Sequence, residues 1–336
     1  MKISILTFKK GIKRYNERMV KKKAKALVLF SGGLDSILVV KILQEQKIKL
    51  TALIFKSYFF NEEQAKKTAK ELKIPFEIAN FSKKHLKIVM NPKYGYGKNM
   101  NPCIDCHALM LKEAAKIMKM ENYDFIATGE VLGERPMSQN KGALKIIEKE
   151  SDLENKIVRP LSAKLLESTF AEKNNFIKRK GLFDVSGKSR KKQLKLAKKF
   201  KLKSFPTPAG GCILTDKDFS KKMRELLGIW EKNKRNKKYW ENDIKLLKIG
   251  RHFKKDSAKI IIGRDEEENK RIKKLALKND ILIEMKNYPG PLTLIRSYIK
   301  EKGVKEKIMK EGKNLTKYYS TKSRNKKDAI FCVKEI

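Results

Sequence analysis

An apolar run, Ala26-Leu27-Val28-Leu29-Phe30, leads straight into Ser31-Gly32-Gly33-Leu34-Asp35-Ser36, and a second apolar run, Ile37-Leu38-Val39-Val40, follows at once. No other feature constrains the fold as tightly. A buried strand must end in a tight turn of small residues and pass directly into a helix. Such a turn gathers hydroxyls and backbone N–H groups around one point. The new helix adds N–H donors without intrahelical partners and the positive end of its dipole. Together they make a cradle for phosphate oxygens. The loop is neither the Walker pattern, which closes on Gly-Lys-Ser/Thr, nor Gly-x-Gly-x-x-Gly. The plain alternative is an ordinary strand–helix turn, which does not call for these six residues between two apolar runs.

From Ala24 to about Gly228 the chain alternates in the same way. Strands are expected at Ala26–Phe30, Leu50–Phe55, Phe76–Ala79 and Phe125–Gly129, and helices at Asp35–Gln46, Glu62–Leu72 and Met110–Met120. The alternation predicts an α/β fold, a doubly wound parallel sheet with helices on both faces. Ligands in such sheets sit at the carboxyl ends of strands. That places Ser31–Ser36 and the Thr128-Gly129 turn at the expected ligand site. A glycine-, asparagine- and proline-rich stretch, Asn91 to Pro102, is long for a loop inside a compact domain, which marks it as functional or disordered. A second loop region runs from Lys203 to Thr215. Residues 1–23 read as a basic N-terminal extension, 24–228 as the first domain, 229–247 as a charged linker and 248–336 as a smaller α+β domain. The strands of that second domain are expected at Lys259–Ile262, Ile281–Met285 and Ala329–Val333.

Lysine and arginine number 81 against 38 acidic residues, a net charge of +43 over 336 residues. An excess this large favours a polyanionic partner, and nucleic acid is the first candidate. Lysine is abundant even on plain helix faces, so charge supports that reading without proving it. No long apolar span or anchoring helix points to a membrane. Met1 to Lys23 lacks the continuous apolar stretch of a secretory signal. Four cysteines make no disulfide framework, which points to the cytoplasm and to thiols that act as ligands or reactive groups.

Cys103-Ile104-Asp105-Cys106 is a Cys-x-x-Cys pair, and Cys212 lies far downstream in Gly210-Gly211-Cys212. Three thiolates suit a 4Fe–4S cluster that keeps one iron open to an exogenous ligand such as sulfide. The alternative is a persulfide on one cysteine resolved by another. A closed zinc site would need a fourth ligand, for which His107 is the nearest candidate. A structural pair beside an unrelated buried cysteine is the remaining reading. Asp35 is a candidate magnesium or phosphate-positioning carboxylate, although an aspartate at a helix start is more often a cap. Glu130, Glu134 and Arg135 follow the strand end at Gly129, and Arg135 offers bidentate contact to a phosphate. His85 and His252 look unremarkable, and Cys332, in Ile330-Phe331-Cys332-Val333, is expected to pack in a core.

Taken together, Ser31–Ser36, Asn99-Met100-Asn101-Pro102-Cys103-Ile104-Asp105-Cys106, Ala127-Thr128-Gly129-Glu130 through Gln139, Arg159-Pro160-Leu161-Ser162 and Pro208-Ala209-Gly210-Gly211-Cys212 resemble the tRNA thiouridine synthetases of the pyrophosphate-loop (PP-loop) ATP pyrophosphatases. The nearest group is similar to short 4-thiouridine synthetases. The resemblance implies an adenine nucleotide alpha hydrolase-like fold. It also implies ATP and Mg2+ bound by Ser31, Gly32, Gly33, Asp35, Ser36, Phe55, Thr128, Gly129 and Arg135. Asp35, Cys103 and Cys212 would be catalytic, and Cys103, Cys106 and Cys212 would hold a 4Fe–4S cluster. A uridine carbonyl oxygen of tRNA would attack the α-phosphate, and sulfur from a sulfide or persulfide donor would then displace AMP. A 2-thiouridine synthetase using a cysteine pair, or a non-thiolating ligase of the same superfamily, is the alternative. Residues 248–336 resemble NFACT-R, the RNA-binding domain of ribosome quality-control proteins. The resemblance rests on Lys259 to Asn269, Lys278-Asn279-Asp280-Ile281, Tyr288-Pro289-Gly290-Pro291 and Tyr318 to Arg324. A homodimer is compatible with the sequence, and nothing in it argues for one.

Overall fold

The computed structural model describes residues 23–206, 212–234, 236–298 and 302–336, without the side chains of 302–305. The expected N-terminal extension, apart from Lys23, and the Pro208–Gly211 string lie outside the described residues. The chain divides into two compact units, Met1–Gly211 and Cys212–Ile336.

The first unit is built on β1 (Lys25–Leu29), β2 (Lys49–Lys56), β3 (Phe76–Asn80), β4 (Phe125–Ala127) and β5 (Ile157–Val158). All pairs are parallel, in the order β3-β2-β1-β4-β5. Between the strands run α1 (Leu34–Glu45), α2 (Glu63–Glu71), α3 (Ser82–Met90), α4 (Cys103–Met120) and α5 (Lys141–Glu150), and after them α6 (Phe170–Lys173) and α7 (Lys191–Lys199). Alternate strand residues enter opposite layers. Ala26 and Val28 pack with Leu34, Leu38 and Leu196. Leu27 and Ile126 pack with Leu111 and Ala114 of α4 and Ile147 of α5. A sheet covered on both faces needs apolar side chains at nearly every position, which is why its strands read as continuous hydrophobic runs. Each fully buried leucine stabilises the fold by about 1.5–3 kcal/mol relative to exposure. The strand order reverses between β1 and β4, and in open sheets of this kind ligands sit beyond the carboxyl ends of the strands at that point.

The second unit holds α8 (Lys217–Lys232), α9 (Trp240–Leu247), β6 (Arg251–Lys255), β7 (Ala258–Ile262), α10 (Glu266–Leu275), β8 (Ile281–Met285), β9 (Thr293–Ser297), α11 (Lys302–Tyr318) and β10 (Phe331–Glu335). Its sheet is antiparallel, ordered β10-β8-β9-β7-β6. One face packs Ile261, Leu282 and Leu294 with Leu246 and Ile272. The other packs Ile260, Ile283 and Ile295 with Ile308 of α11. The segment 229–247, expected as a linker, is largely helical. Its Trp230 and Trp240 rings stack at 4.9 Å, and Trp230 Nε1 donates to Asp243 at 2.9 Å. The charges that suggested a linker are the outward faces of α8 and α9, whose inward faces carry Leu226, Ile229, Ile244 and Leu247. Cys332 is exposed, not packed in a core as expected. It lies on β10, an edge strand paired only with β8 and left mostly open to solvent. No helix among the described residues is long and apolar enough to cross a membrane.

Candidate active site

The loop after β1 closes as its residues require. Gly32 adopts φ +76°, and a Cβ there would lie 2.9 Å from the Ala65 Cα at the start of α2. Only glycine takes that conformation without strain and lets α2 approach so closely. Ser36 Oγ donates to the Gly33 carbonyl at 2.8 Å, and the Gly33 N–H donates to Ser31 Oγ at 3.3 Å. Gly33 is the N-cap of α1, and no side chain caps the helix. Asp35 does not serve as a cap. The N–H groups of the first turn therefore remain available to an anion beside the dipole's positive end.

Gly129, after β4, packs directly on this turn. A Cβ on it would lie 3.0 Å from the Ser36 nitrogen and 3.1 Å from the Asp35 carbonyl carbon. The two loops at the reversal of strand order are thus in van der Waals contact through a residue with no side chain.

Asp35 Oδ1 is buried without a hydrogen-bond partner. Gln193, from α7, has a fully buried side chain, and neither of its amide atoms has a partner of ordinary geometry. It lies close enough to Asp35 to favour the ionised carboxyl. Burial nonetheless pushes the Asp35 carboxyl above its ordinary range, against the charges of Arg190 and Arg135. Burial and the Asp35 charge likewise raise Glu134, with Arg135 and Arg190 opposing. Glu134, Arg135, Arg190 and the Gln193 amide therefore lie within electrostatic range of Asp35 at the α1 N-terminus or of one another. Orphaned buried polar atoms at an uncapped helix start fit a phosphate-bearing ligand and its divalent cation.

Cys103 and Cys106 occupy the first turn of α4, three residues apart and hence on one face. Cys103 is half-buried and Cys106 buried. Burial pushes the Cys103 thiol up, and the Arg135 charge pulls it back. Arg135 thus lies within electrostatic range of both Asp35, in the loop after β1, and Cys103. Asp105 holds the Asn91–Pro102 stretch to α4 by accepting from the backbone N–H groups of Lys93 at 3.0 Å and Tyr94 at 3.1 Å. Tyr94 Oη also donates to Glu150 on α5 at 2.6 Å. The long loop is therefore ordered against three helices, since Tyr96 Oη donates to the Val89 carbonyl on α3 at 2.6 Å.

Behind the cysteines, Glu130 accepts from Arg159 Nε at 2.9 Å and from Thr128 Oγ1 at 3.1 Å, and meets His107 Nδ1 at 2.8 Å. Burial would raise its carboxyl, but Arg159 and His107 outweigh it and hold the pKa at about 2. Arg159 also bonds Glu148 of α5. His107 is committed to this network, and the Thr128 hydroxyl points into it. Phe55 lies in the core at the end of β2, its ring 5.1 Å from Phe81, so its side chain does not line the site. Cys212 caps a short 3-10 turn, Ile213–Thr215, in the second unit. Among the described residues no group of three or more His, Cys, Asp or Glu side chains is arranged to hold a metal ion.

Residues 24–158 match the family model described as the tRNA methyl transferase HUP domain. Residues 250–333 match that of the NFACT protein RNA binding domain. The chain joins an HUP-type domain to an NFACT-type domain. No curated protein matches it. Among solved structures, a predicted subunit of tRNA methyltransferase from Methanocaldococcus jannaschii is similar at 21% identity. The match covers 41% of this chain and 67% of that one, with a TM-score of 0.30. Arg190, Gln193, Arg159 and Asp105 were not singled out from the sequence. The first two reach the site from a helix far downstream of the phosphate loop, and nothing in their local pattern announces it.

Proposed function

We propose that the chain is an ATP-dependent tRNA-modifying enzyme that replaces a uridine carbonyl oxygen with sulfur. The observation that carries this reading is the buried Asp35 Oδ1, without a hydrogen-bond partner at the uncapped start of α1, with Arg135 in electrostatic range of both Asp35 and Cys103. Ser31, Gly32, Gly33 and Ser36 would bind the leaving pyrophosphate, Asp35 would hold its magnesium, and Arg135 and Arg190 would neutralise charge that builds on the phosphates. The uridine oxygen forms a bond to the α-phosphorus as the bond to pyrophosphate breaks. The oxygen, a poor leaving group before, then departs as AMP when sulfur bonds to the ring carbon.

Cys103 and Cys106 are the sulfur-handling thiols of this proposal, and Cys212 the third candidate. A three-thiolate 4Fe–4S cluster would supply an iron that presents sulfide to the adenylated base. The first unit offers two of the three thiolates such a cluster needs. The second route takes the outer sulfur of a persulfide donor onto one cysteine of the pair with release of the donor thiol; that sulfur bonds the ring carbon as AMP leaves, and the other cysteine attacks the first, freeing the thiouridine as a disulfide that a thiol reductant reopens. The name of the matching HUP model makes methyl transfer a second reading. A sulfonium methyl donor is cationic, however, and an uncapped helix start flanked by Arg135 and Arg190 favours anions.

The test is to incubate the protein with unmodified tRNA, ATP, Mg2+ and sulfide, follow pyrophosphate, and digest the tRNA for mass spectrometry. The expected result is tRNA-dependent pyrophosphate release with a 4-thiouridine product. A 2-thiouridine would move the reaction to the other carbonyl. Methylated nucleoside formed from a sulfonium donor, with no pyrophosphate released, would overturn the proposal.

A further inference from the structure

At the end of α11 two tyrosines and two arginines form a continuous ladder. The Arg324 guanidinium lies over the Tyr318 ring, 4.9 Å from its centroid. Tyr318 and Tyr319 meet edge to face at 5.0 Å. Arg251, from edge strand β6, lies over Tyr319 at 4.7 Å, and Phe253 flanks the same ring at 5.8 Å. Tyr318 remains 56% exposed although these neighbours hold it.

The ladder is held from beneath. Arg324 Nε donates to the Tyr318 carbonyl at 2.7 Å, and the Arg324 N–H donates to the Ser320 carbonyl at 3.1 Å. Ser320 Oγ donates to the Pro289 carbonyl at 3.0 Å and Ser323 Oγ to Met285 Sδ at 2.9 Å, and both serines are buried. The turn is thus fixed to β8 and to the loop that follows it. Lys322, Lys326 and Lys327 are exposed on the same turn. A single cation over an aromatic ring is an ordinary surface feature. Two such pairs joined through touching rings, with the outer ring mostly open and lysines around it, make a rigid stacking surface in a positive field.

We infer that Tyr318 is a stacking platform for an unpaired RNA base, with Arg324, Arg251 and the lysines of 322–327 holding the flanking phosphates. The inference deepens the proposed function by naming how the second unit grips RNA, and it rests on that reading. Bases splayed from single strands stack on aromatic rings and guanidinium planes, whereas paired bases cannot. The platform therefore selects loops and ends over duplex, which suits an enzyme whose target uridine must be reached.

The test uses the full chain and two labelled RNAs of equal length, one unstructured and one a blunt self-complementary duplex, with affinity read by fluorescence anisotropy across a salt series. Tyr318→Leu is expected to weaken single-strand binding by about 10-fold or more, the scale of one base stack, with the salt slope unchanged. Tyr318→Phe should keep native affinity. Arg324→Gln should flatten the slope by the equivalent of about one phosphate. Ultraviolet crosslinking of the native chain to the single strand should map to residues 318–324. Single-strand affinity of Tyr318→Leu within twofold of native, or crosslinks confined elsewhere, would overturn the platform while leaving tRNA modification standing. If the native chain binds neither RNA, the RNA reading falls along with the platform.

Discussion

At the scale of single residues, the site is defined by what its polar atoms lack. Asp35 sits in the phosphate loop with Oδ1 buried and unpartnered, and burial raises its pKa above the ordinary 3.8. A carboxyl with a raised pKa holds its proton more tightly in the fold than in the unfolded chain. Its contribution to stability is therefore fullest below pH 3.8 and is lost as pH rises through the folded value. Asp35→Asn should thus melt higher than the native chain at pH 7, with the gap closing toward pH 4, while nucleotide-dependent pyrophosphate release is lost. Calorimetry at both pH values checks the first half. A lower melting point at pH 7 would mean that the ligand-free chain already pairs the carboxylate. Gly129 makes a different point, because its role is to be absent as a side chain. The methyl of Gly129→Ala would press on the Ser36 nitrogen and the Asp35 carbonyl carbon. Overpacking of this kind costs about 1–3 kcal/mol. The strain falls on the phosphate loop, so titration calorimetry should show a larger loss in ATP affinity than the melting curve shows in stability.

At the scale of elements, the sequence is most legible where a strand is buried on both faces. The ends of β1 and β2 lie within a residue of where the apolar runs place them, because continuous apolar runs broken by a Gly-rich turn admit little else. β6 and β9 escape the sequence pattern for a physical reason. Arg251 to Lys255 is a charged edge strand, and β9 carries Arg296, whose charge is legible only once its partners are in place. Arg296 Nη1 donates to Asp243 and Nη2 to Asp280, each at 2.6 Å, from elements far apart in sequence. The site divides the same way. The phosphate loop and the Cys-x-x-Cys pair are local strings, whereas Gln193 and Arg190 are assembled by tertiary packing. Glu130 shows how much such assembly matters, since it joins the ends of β4 and β5 to α4 through Arg159 and His107. Glu130→Gln leaves Arg159 buried without that carboxylate, and breaking a pair of this kind costs about 3–5 kcal/mol. Urea unfolding should show that loss at pH 7. The native Glu130 pKa is about 2 against an ordinary 4.5. Its stabilisation is complete above pH 4.5 and disappears as pH falls through about 2, so the variant should lose less stability than the native chain across that window. An equal loss in both would place the acid sensitivity elsewhere.

At the scale of the whole molecule, the proposed function gives the two units separate tasks that net charge alone would blur. A net charge of +43 gives any polyanion some affinity, so the bare dissociation constant for RNA says little about which surface holds it. The salt dependence says more, because each phosphate that the protein neutralises adds about 0.7–0.9 to the steepness of log affinity against log salt. If the second unit grips tRNA through the turn after α11, replacing Lys322, Lys326 and Lys327 together by glutamine should flatten the slope by the equivalent of about two to three phosphates on that scale. The KM for tRNA should rise several-fold, and ATP affinity should not change, because Asp35, Arg135, Arg190 and Gln193 all belong to the first unit. Equilibrium binding across a salt series, with steady-state pyrophosphate release at one salt, separates these outcomes. A slope unchanged within error would mean that the field is spread over the whole surface and that this turn carries no special share of the grip. A fall in ATP affinity alongside the higher KM would mean that the two units do not act independently, since no lysine of that turn belongs to the nucleotide site.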